Sequence, residues 1–185
     1  FVISDDDRDI VSNEMVYNLS SPCELEDYSW IKPGQVKKYG DIPVRPFVLV
    51  HVTNAIENPS KGHYTTIKVV EKLVKAGRNI QIKFIGEGKM TDDLKRTVEE
   101  LGLQNNVIFT GRIANRQELL DEVRKSDLML FPTKSEGLPR CIIEAQAVGL
   151  PVISTQVGGI PELVEEKYLR QPDDVEGFTE LVSRL

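Results

Sequence analysis

Short apolar runs alternate with longer amphipathic segments along most of the chain. From about residue 46 onward the apolar runs are four to six residues long, which is typical of buried strands. The segments between them repeat apolar residues every three or four positions and therefore predict helices. The predicted strands are 47–52, 80–85, 107–110, 128–131 and 152–155.

This alternation of strands and helices indicates right-handed βαβ units. Strands that are apolar on both sides are typical of a parallel sheet that is covered by helices. We therefore predict an α/β fold, specifically a Rossmann-like doubly wound parallel sheet with helices on both faces.

Several residues indicate where the helices begin. Thr91 suits the N-cap of the second helix, and Asn115 with Glu118 resembles a capping box for the third. Pro139 suits the first helical position of the fourth helix. A last helix is predicted from about Val175 to the end of the chain.

Residues 1–45 follow a different pattern. They contain nine acidic and five basic residues, and prolines interrupt them without a clear periodicity. We expect this segment to be an arm or linker, or the remnant of a preceding domain, with the main domain spanning residues 46–185. Because the chain begins with Phe1 instead of Met, we expect a fragment or a processed product.

Composition narrows the class of protein. A content of 40% hydrophobic and 28% charged residues is that of a soluble globular protein, and the net charge of −6 argues against a nucleic-acid binder. Two cysteines, Cys23 and Cys141, form neither a disulfide framework nor a zinc pattern, so free thiols in a reducing compartment are expected. No run approaches a membrane span and no signal peptide is visible, so the expected location is the cytoplasm.

Two glutamates separated by seven residues are the most informative feature of the chain. Glu144 is the only charged residue from 141 to 155, and a carboxylate in so apolar a helix is costly unless it is hydrogen-bonded. Glu136 lies in a strand-to-helix loop, where open α/β sheets hold ligands. The pair predicts a binding site. The alternatives are a solvated loop carboxylate for Glu136 and an ion pair with Arg140 for Glu144.

Two helix starts on the same sheet edge predict anion binding. Lys61 lies just before a helix, where its ammonium group and the helix amides can hold a phosphate together. The alternative is a solvated surface lysine. The segment 137–140 opens the glutamate helix, and the amides of Arg140 and Cys141 are predicted to point at an anion.

Glycines follow two other strands. Gly86 and Gly88 let the backbone approach a ligand closely, but a dinucleotide fingerprint would need a third glycine where Thr91 stands. The alternative is a tight strand-to-helix turn. The pair Gly158-Gly159 suits either close packing or ligand approach. The histidines have no cysteine or carboxylate cluster at ligand spacing, so no metal site is predicted.

Five motifs follow successive strands in one order. They are Lys61-Gly62, Gly86-x-Gly88, Phe109-Thr110-Gly111, Glu136-x7-Glu144 and Gly158-Gly159-x-Pro161-Glu162. In this order they resemble the C-terminal, donor-binding domain of retaining nucleotide-sugar glycosyltransferases of family 4. Those enzymes have the two-domain B-type fold, and the similarity covers about residues 46–182.

The resemblance implies a role for each motif. The residue matching Lys61 neutralises the donor diphosphate, that matching Glu136 contacts the donor sugar, and that matching Glu144 holds the ribose hydroxyls. The resemblance thus implies catalytic roles for Lys61 and Glu136, donor binding by Glu144, and neither cofactor nor metal. The other implied donor-binding residues are Gly86, Gly88, Gly111, Arg112, Ile113, Gly137, Leu138, Arg140 and Cys141.

Two departures from the family pattern matter. Many members carry a second diphosphate ligand, an arginine a few residues before the lysine, but the stretch 53–60 has none. Either Asn54 substitutes or diphosphate binding is weaker. The family's N-terminal, acceptor-binding domain is also missing, so we expect the chain to bind donor or nucleotide but hardly turn over.

Other functions stay open at this stage. A non-catalytic nucleotide-binding or assembly module of the same fold fits the missing arginine, and a nucleotide-sugar epimerase shares the fold. Polysaccharide, glycolipid and small-molecule acceptors are all compatible with the sequence, as is peripheral membrane association of the full-length enzyme.

Overall fold

The computed structural model describes residues 45–185, which build six strands and five helices. The strands are β1 (Phe47–Ala55), β2 (Ile80–Glu87), β3 (Val107–Gly111), β4 (Leu128–Phe131), β5 (Val152–Thr155) and β6 (Leu169–Arg170). The helices are α1 (His63–Lys75), α2 (Thr91–Glu100), α3 (Arg116–Arg124), α4 (Arg140–Ala147) and α5 (Val175–Ser183). Short 3-10 turns cover Pro59–Lys61, Ile160–Glu162 and Glu166–Tyr168.

All six strands run parallel in one sheet, in the order β3-β2-β1-β4-β5-β6. The chain builds outward from β1 to β3 and then returns to the other side of β1 with β4. In the register, Leu49 of β1 faces Leu128 of β4 on one side and Ile82 of β2 on the other. The strand order therefore reverses between β1 and β4, which is where such sheets open a crevice for ligands.

Helices cover both faces of this sheet. Leu49 belongs to an apolar cluster with residues of α1, α2 and α5, whereas its neighbour Val50 belongs to a second cluster with residues of α3 and α4. Successive strand residues point to opposite faces, so each face of β1 feeds one cluster. The predicted doubly wound fold, with helices on both faces, is confirmed.

Most predicted element positions are confirmed, and two helix starts are corrected. The side chain of Asn115 accepts a hydrogen bond from the Glu118 amide, as the capping-box prediction requires. Thr91 is the first residue of α2 and not its cap, because its hydroxyl instead accepts from the Gly88 amide, 3.1 Å away, inside the preceding turn. Pro139 caps α4 and does not begin it, since its ψ of 112° is extended.

The strand predictions also needed two changes. Strand β1 continues to Ala55, so Asn54 lies within the strand and not in the loop after it. Strand β6 has only two residues, too few to give an apolar run, and was not predicted.

Arg45 ties the start of the described chain to the sheet. Its guanidinium contacts both carboxylate oxygens of the buried Asp127 at 2.6 Å, and Asp127 also accepts from the Val48 amide. Apart from Arg45, the predicted arm at 1–45 and Cys23 lie outside the described residues. None of the helices within 45–185 combines the length and the apolar character that crossing a membrane requires.

Candidate functional site

Lys61 and Glu136 meet at the carboxyl ends of β1 and β4. Lys61 ends the short turn after β1, and Glu136 lies in the loop after β4. The ammonium nitrogen of Lys61 lies 2.5 Å from Oε1 of Glu136. The Lys61 side chain is only 29% exposed and that of Glu136 only 15%. The structure thus joins two of the predicted site residues at the reversal of the strand order, where ligands bind in open α/β sheets.

The loops that carry this pair are joined through their backbones. The Lys134 amide donates to the Ser60 carbonyl at 2.7 Å, and the Thr133 hydroxyl reaches the same carbonyl at 3.2 Å. Thr155, on β5, donates from its hydroxyl to the Thr133 carbonyl at 2.6 Å. These bonds position the two loops independently of the Lys61–Glu136 contact.

Two glycines allow the loops to approach each other this closely. Gly62 has a φ of +79°, and a β-carbon there would lie 2.1 Å from the Pro132 carbonyl oxygen. At Gly158 a β-carbon would lie 1.9 Å from the Glu136 carbonyl oxygen. Of the two roles considered for the double glycine, close packing is the one that the structure shows.

Helix α4 begins four residues after Glu136, in the same strand-to-helix connection. With Pro139 as the cap, Arg140 and Cys141 occupy the first two helical positions. Burial raises the pKa of the Cys141 thiol to about 12, and the charges of Glu136 and Glu144 act in the same direction. The thiol therefore stays protonated at neutral pH and adds no charge to this helix start.

Glu144 has an ion-pair partner that sequence reasoning missed. Nη2 of Arg116, the first residue of α3, lies 2.9 Å from Oε1 of Glu144, whose side chain is only 14% exposed. The alternative drawn from the sequence, an ion pair with Arg140 one turn away on the same helix, stays a prediction. The one available signal was the basic residue at a helix start, a position that the helix dipole disfavours.

The segment predicted to border the base ends β3. Gly111 has a φ of +74° with open space beside it, Arg112 is exposed, and Ile113 is partly buried against the cluster that α3 and α4 share. Gly137 is exposed and Leu138 is partly buried against the same cluster. Their contacts with a donor stay predictions.

The packing of the protein itself explains the two glycines at the end of β2, of which Gly86 lies within the strand and Gly88 just after it. A β-carbon at Gly86 would lie 2.1 Å from the Thr53 carbonyl oxygen, and one at Gly88 would lie 2.5 Å from that of Ile56. The tight-turn alternative accounts for both residues without a ligand. Asn54 is exposed at the end of β1, and its suggested diphosphate contact stays a prediction.

A pair of histidines lies beneath the Lys61 turn. His51 and His63 stack with their ring centroids 4.4 Å apart, and both are buried. The His51 ring contacts the Thr66 hydroxyl, which donates to the Gly62 carbonyl. Burial lowers the pKa of His51 well below its ordinary value and that of His63 to about 4, with nearby positive charge adding to each shift. Both rings are therefore neutral at pH 7.

Asp173 links helix α1 to the loop after β4. It is the one residue other than glycine with positive φ within 45–185, at 63°. Its carboxylate accepts from the Thr65 hydroxyl at 2.8 Å and pairs with Lys134 at 2.5 Å, and these contacts lower its pKa. Across the described part of the chain, no group of three or more histidine, cysteine or carboxylate side chains is placed to hold a metal ion.

Comparison with known proteins then decides the family. Residues 46–185 match the family described as "Glycosyl transferases group 1". The chain belongs to the group 1 glycosyltransferases.

Curated relatives agree with this assignment. Protein CapJ of Staphylococcus aureus is 36% identical over 165 residues, which is 88% of this chain and 42% of CapJ. The N-acetyl-alpha-D-glucosaminyl L-malate synthase of Bacillus anthracis is 29% identical over 160 residues, 82% of this chain and 39% of that enzyme. The chain thus spans about two fifths of the length of these relatives.

Solved structures show the same fold. HepE of Anabaena, in complex with UDP, aligns with a TM-score of 0.66 at 25% identity over 76% of this chain and 39% of that one. The C-terminal domain of the group 1 glycosyltransferase LpcC from Francisella tularensis aligns with a TM-score of 0.67 at 24% identity, covering 76% of each chain. The fold is therefore that of one half of a two-domain, B-type glycosyltransferase.

Proposed function

We propose that this chain is the donor-binding part of a retaining glycosyltransferase that moves a sugar, a hexose by our expectation, from a nucleoside diphosphate to an acceptor. The observation that supports this most is the Lys61–Glu136 pair at the strand-order reversal, beside the start of α4. One cation and two helix amides favour a diphosphate, while carboxylates suit the hydroxyls of sugars. The site combines the two kinds of group that a nucleotide sugar requires.

Each residue has a defined task in this proposal. The diphosphate contacts Lys61 and the amides of Arg140 and Cys141, and thereby frees the carboxylate of Glu136 to accept hydrogen bonds from the donor sugar. Glu144 lies one turn into α4, about 6 Å along the helix from Arg140, and accepts the ribose hydroxyls.

The same groups would assist the transfer step in the complete enzyme. The bond between the anomeric carbon and the diphosphate oxygen breaks, and a bond to the acceptor oxygen forms on the same face of the sugar. The acceptor hydroxyl gives its proton to the departing diphosphate. Lys61 and the α4 amides stabilise the charge that develops on the departing diphosphate, because they are already oriented towards it. This assignment needs no metal ion, since the lysine supplies the positive charge.

The acceptor and the setting are proposed more broadly. A curated relative from Escherichia coli is named "Putative colanic acid biosynthesis glycosyltransferase WcaL", and we propose a sugar, lipid-linked or polysaccharide acceptor. The acceptor would enter opposite the donor, from a second domain. We propose that the reaction takes place in the cytoplasm. This proposal is compatible with a full-length enzyme that associates peripherally with a membrane.

Calorimetric titration of the 185-residue chain with UDP, GDP and ADP tests the proposal. At least one nucleotide should bind, and Lys61→Met should weaken that binding about tenfold, or about 1.4 kcal/mol, because a charge-assisted contact with the diphosphate is lost. Lys72→Met is the matched control, since Lys72 lies on α1 and pairs with Glu176, away from the strand ends. Absence of heat with all three nucleotides would overturn the proposal.

One observation supports a second function. The stretch 53–60 contains no arginine, and Asn54 is exposed there. A diphosphate site with only one cation fits a module that binds nucleotides without catalysis. Assaying sugar transfer by the full-length protein separates the two, since a module would bind nucleotide and release no product. An epimerase would instead convert the nucleotide sugar without any acceptor.

A further inference from the structure

Arg116 is a charged residue that the proposed function has not yet used. It is the first residue of α3, and its guanidinium reaches across to α4, where Nη2 lies 2.9 Å from Oε1 of Glu144. The side chains of Arg116 and Glu144 are 34% and 14% exposed, so the contact is largely shielded from water. Shielding makes the electrostatic attraction within such a pair stronger than that of a surface ion pair.

The position of Arg116 opposes the electrostatics of its own helix. The first turn of a helix carries partial positive charge, so a cation there is destabilising. No acidic residue lies three or four positions further along α3, where Leu119 and Leu120 stand. Arg124, at the other end of the same helix, instead pairs with Asp121 one turn away. Arg116 is thus a basic residue whose partner lies on another helix.

That partner is the residue proposed to hold the ribose. A carboxylate offers about four acceptor positions on its two oxygens, which is more than a single ion-pair contact uses. The attraction from the α3 side favours one orientation of the Glu144 carboxylate and offsets its charge in an apolar setting. The remaining acceptor positions then have a fixed direction.

We propose that Arg116 is a positioning residue that orients Glu144 towards the two ribose hydroxyls and so determines selectivity for ribonucleotides over 2′-deoxyribonucleotides. The inference rests on the proposed function, because it assumes that Glu144 binds the ribose. A vicinal diol spans both carboxylate oxygens only when the carboxylate is held in one orientation. A 2′-deoxyribose leaves one of those oxygens without its hydroxyl, which is costly in a shielded site.

A merely structural ion pair predicts a different result. If Arg116 only neutralises Glu144, removing it lowers the melting temperature and weakens all nucleotides alike. If Arg116 orients Glu144, removing it weakens the ribonucleotide more than the deoxyribonucleotide. The ratio of the two dissociation constants therefore separates the roles.

The experiment measures the affinity of the 185-residue chain for UDP and 2′-deoxy-UDP, and for GDP and 2′-deoxy-GDP, by calorimetry. The unaltered chain should prefer the ribonucleotide about tenfold or more, on the scale of one hydrogen bond to a charged group. Arg116→Met should reduce this preference to about threefold or less, and Arg116→Lys, which keeps the charge but loses the planar fork, should restore it in part. Arg124→Met is the matched control and should keep the full preference.

The outcomes distinguish this inference from the function on which it rests. If the unaltered chain binds none of the nucleotides, the proposed function fails. If it binds and prefers the ribonucleotide, but Arg116→Met keeps that preference or binds UDP more tightly, the inference fails alone. A chain that binds without any ribose preference also overturns the inference. If Arg116→Met does not fold, Arg116→Gln replaces it, and the expected ribonucleotide preference is again about threefold or less.

Discussion

The two ion pairs of the site are alike in charge and different in construction. Lys61–Glu136 joins two strand-end loops, and backbone hydrogen bonds and glycines hold those loops together around it. Arg116–Glu144 joins two helices through side chains, and within residues 45–185 no backbone hydrogen bond links α3 to α4. The first pair is a consequence of the topology of the sheet, whereas the second depends on one arginine.

This difference divides the site into two ends, and each is named after the part of the donor that it is proposed to bind. The diphosphate end, at Lys61, follows from the parallel sheet and its tight loops, so we expect changes there to affect folding and binding together. The ribose end, at Glu144, follows from two helix side chains, so we expect changes there to affect binding more than folding. The predictions below test this division, from the largest expected effect to the smallest.

Gly62→Ala should destabilise the diphosphate end by about 2 to 5 kcal/mol, because an alanine would be strained at a φ of +79° and would overlap the Pro132 carbonyl. Gly77→Ala is a matched control. Its φ is +77° but nothing lies within 4 Å of the added carbon, so only the backbone strain of about 1 to 2 kcal/mol applies. Urea unfolding of both variants measures the difference, and equal losses would show that the close approach of the loops is not what the glycine supports.

Acid should weaken the diphosphate end through the buried histidines. In the unfolded chain His63 titrates near its ordinary pKa of about 6.5, whereas burial lowers its folded pKa to about 4. Between these values the unfolded state binds more protons. Stability is therefore fully present above about pH 6.5 and falls as pH drops, by about 1.4 kcal/mol per pH unit for each such histidine.

Urea unfolding from pH 7.5 to 4.5 measures this dependence. His63→Gln should reduce the slope by about 1.4 kcal/mol per pH unit in the lower half of that range, while other acid-sensitive groups keep their contribution. An unchanged slope would mean that His63 is not buried in the neutral form.

Glu144→Ala should weaken the binding of the nucleoside diphosphate with the highest affinity about 10-fold to 100-fold, since hydrogen bonds to a charged group contribute about 1.5 to 3 kcal/mol. Affinity for inorganic pyrophosphate should stay the same, because pyrophosphate contacts only the diphosphate end. Glu176→Ala, at a side chain that is 78% exposed, is the control. If Glu144→Ala lowered the affinity for pyrophosphate as much as the affinity for the nucleotide, the two ends would not bind separate parts of the donor.

The sequence allowed the proximity of Lys61 and Glu136 to be predicted and left the contact between Arg116 and Glu144 undetected. Lys61 and Glu136 both follow strands, and parallel strands end on one edge of the sheet, so their proximity could be expected. Arg116 could not be placed opposite Glu144, because the pairing depends on how α3 and α4 pack on one face. Periodicity shows which face of a helix is apolar, but it does not show which residues of two neighbouring helices meet.

The misplaced helix starts have a similar cause. Thr91 and Pro139 belong to residue types that occur at several positions around a helix start, and only the local backbone selects one of them. The roles of the glycines were ambiguous for the same reason. Whether Gly86 and Gly158 face a ligand or another backbone depends on contacts with Thr53 and Glu136, which are distant in the sequence.

The most direct test of the whole account is a crystal structure of the 185-residue chain with the nucleoside diphosphate that binds it best. The account predicts the diphosphate beside Lys61 and the amides of Arg140 and Cys141, with the ribose hydroxyls within about 3.2 Å of the Glu144 carboxylate, the range of a hydrogen bond. A nucleotide bound away from the carboxyl ends of β1 and β4, or with its ribose turned away from Glu144, would contradict it.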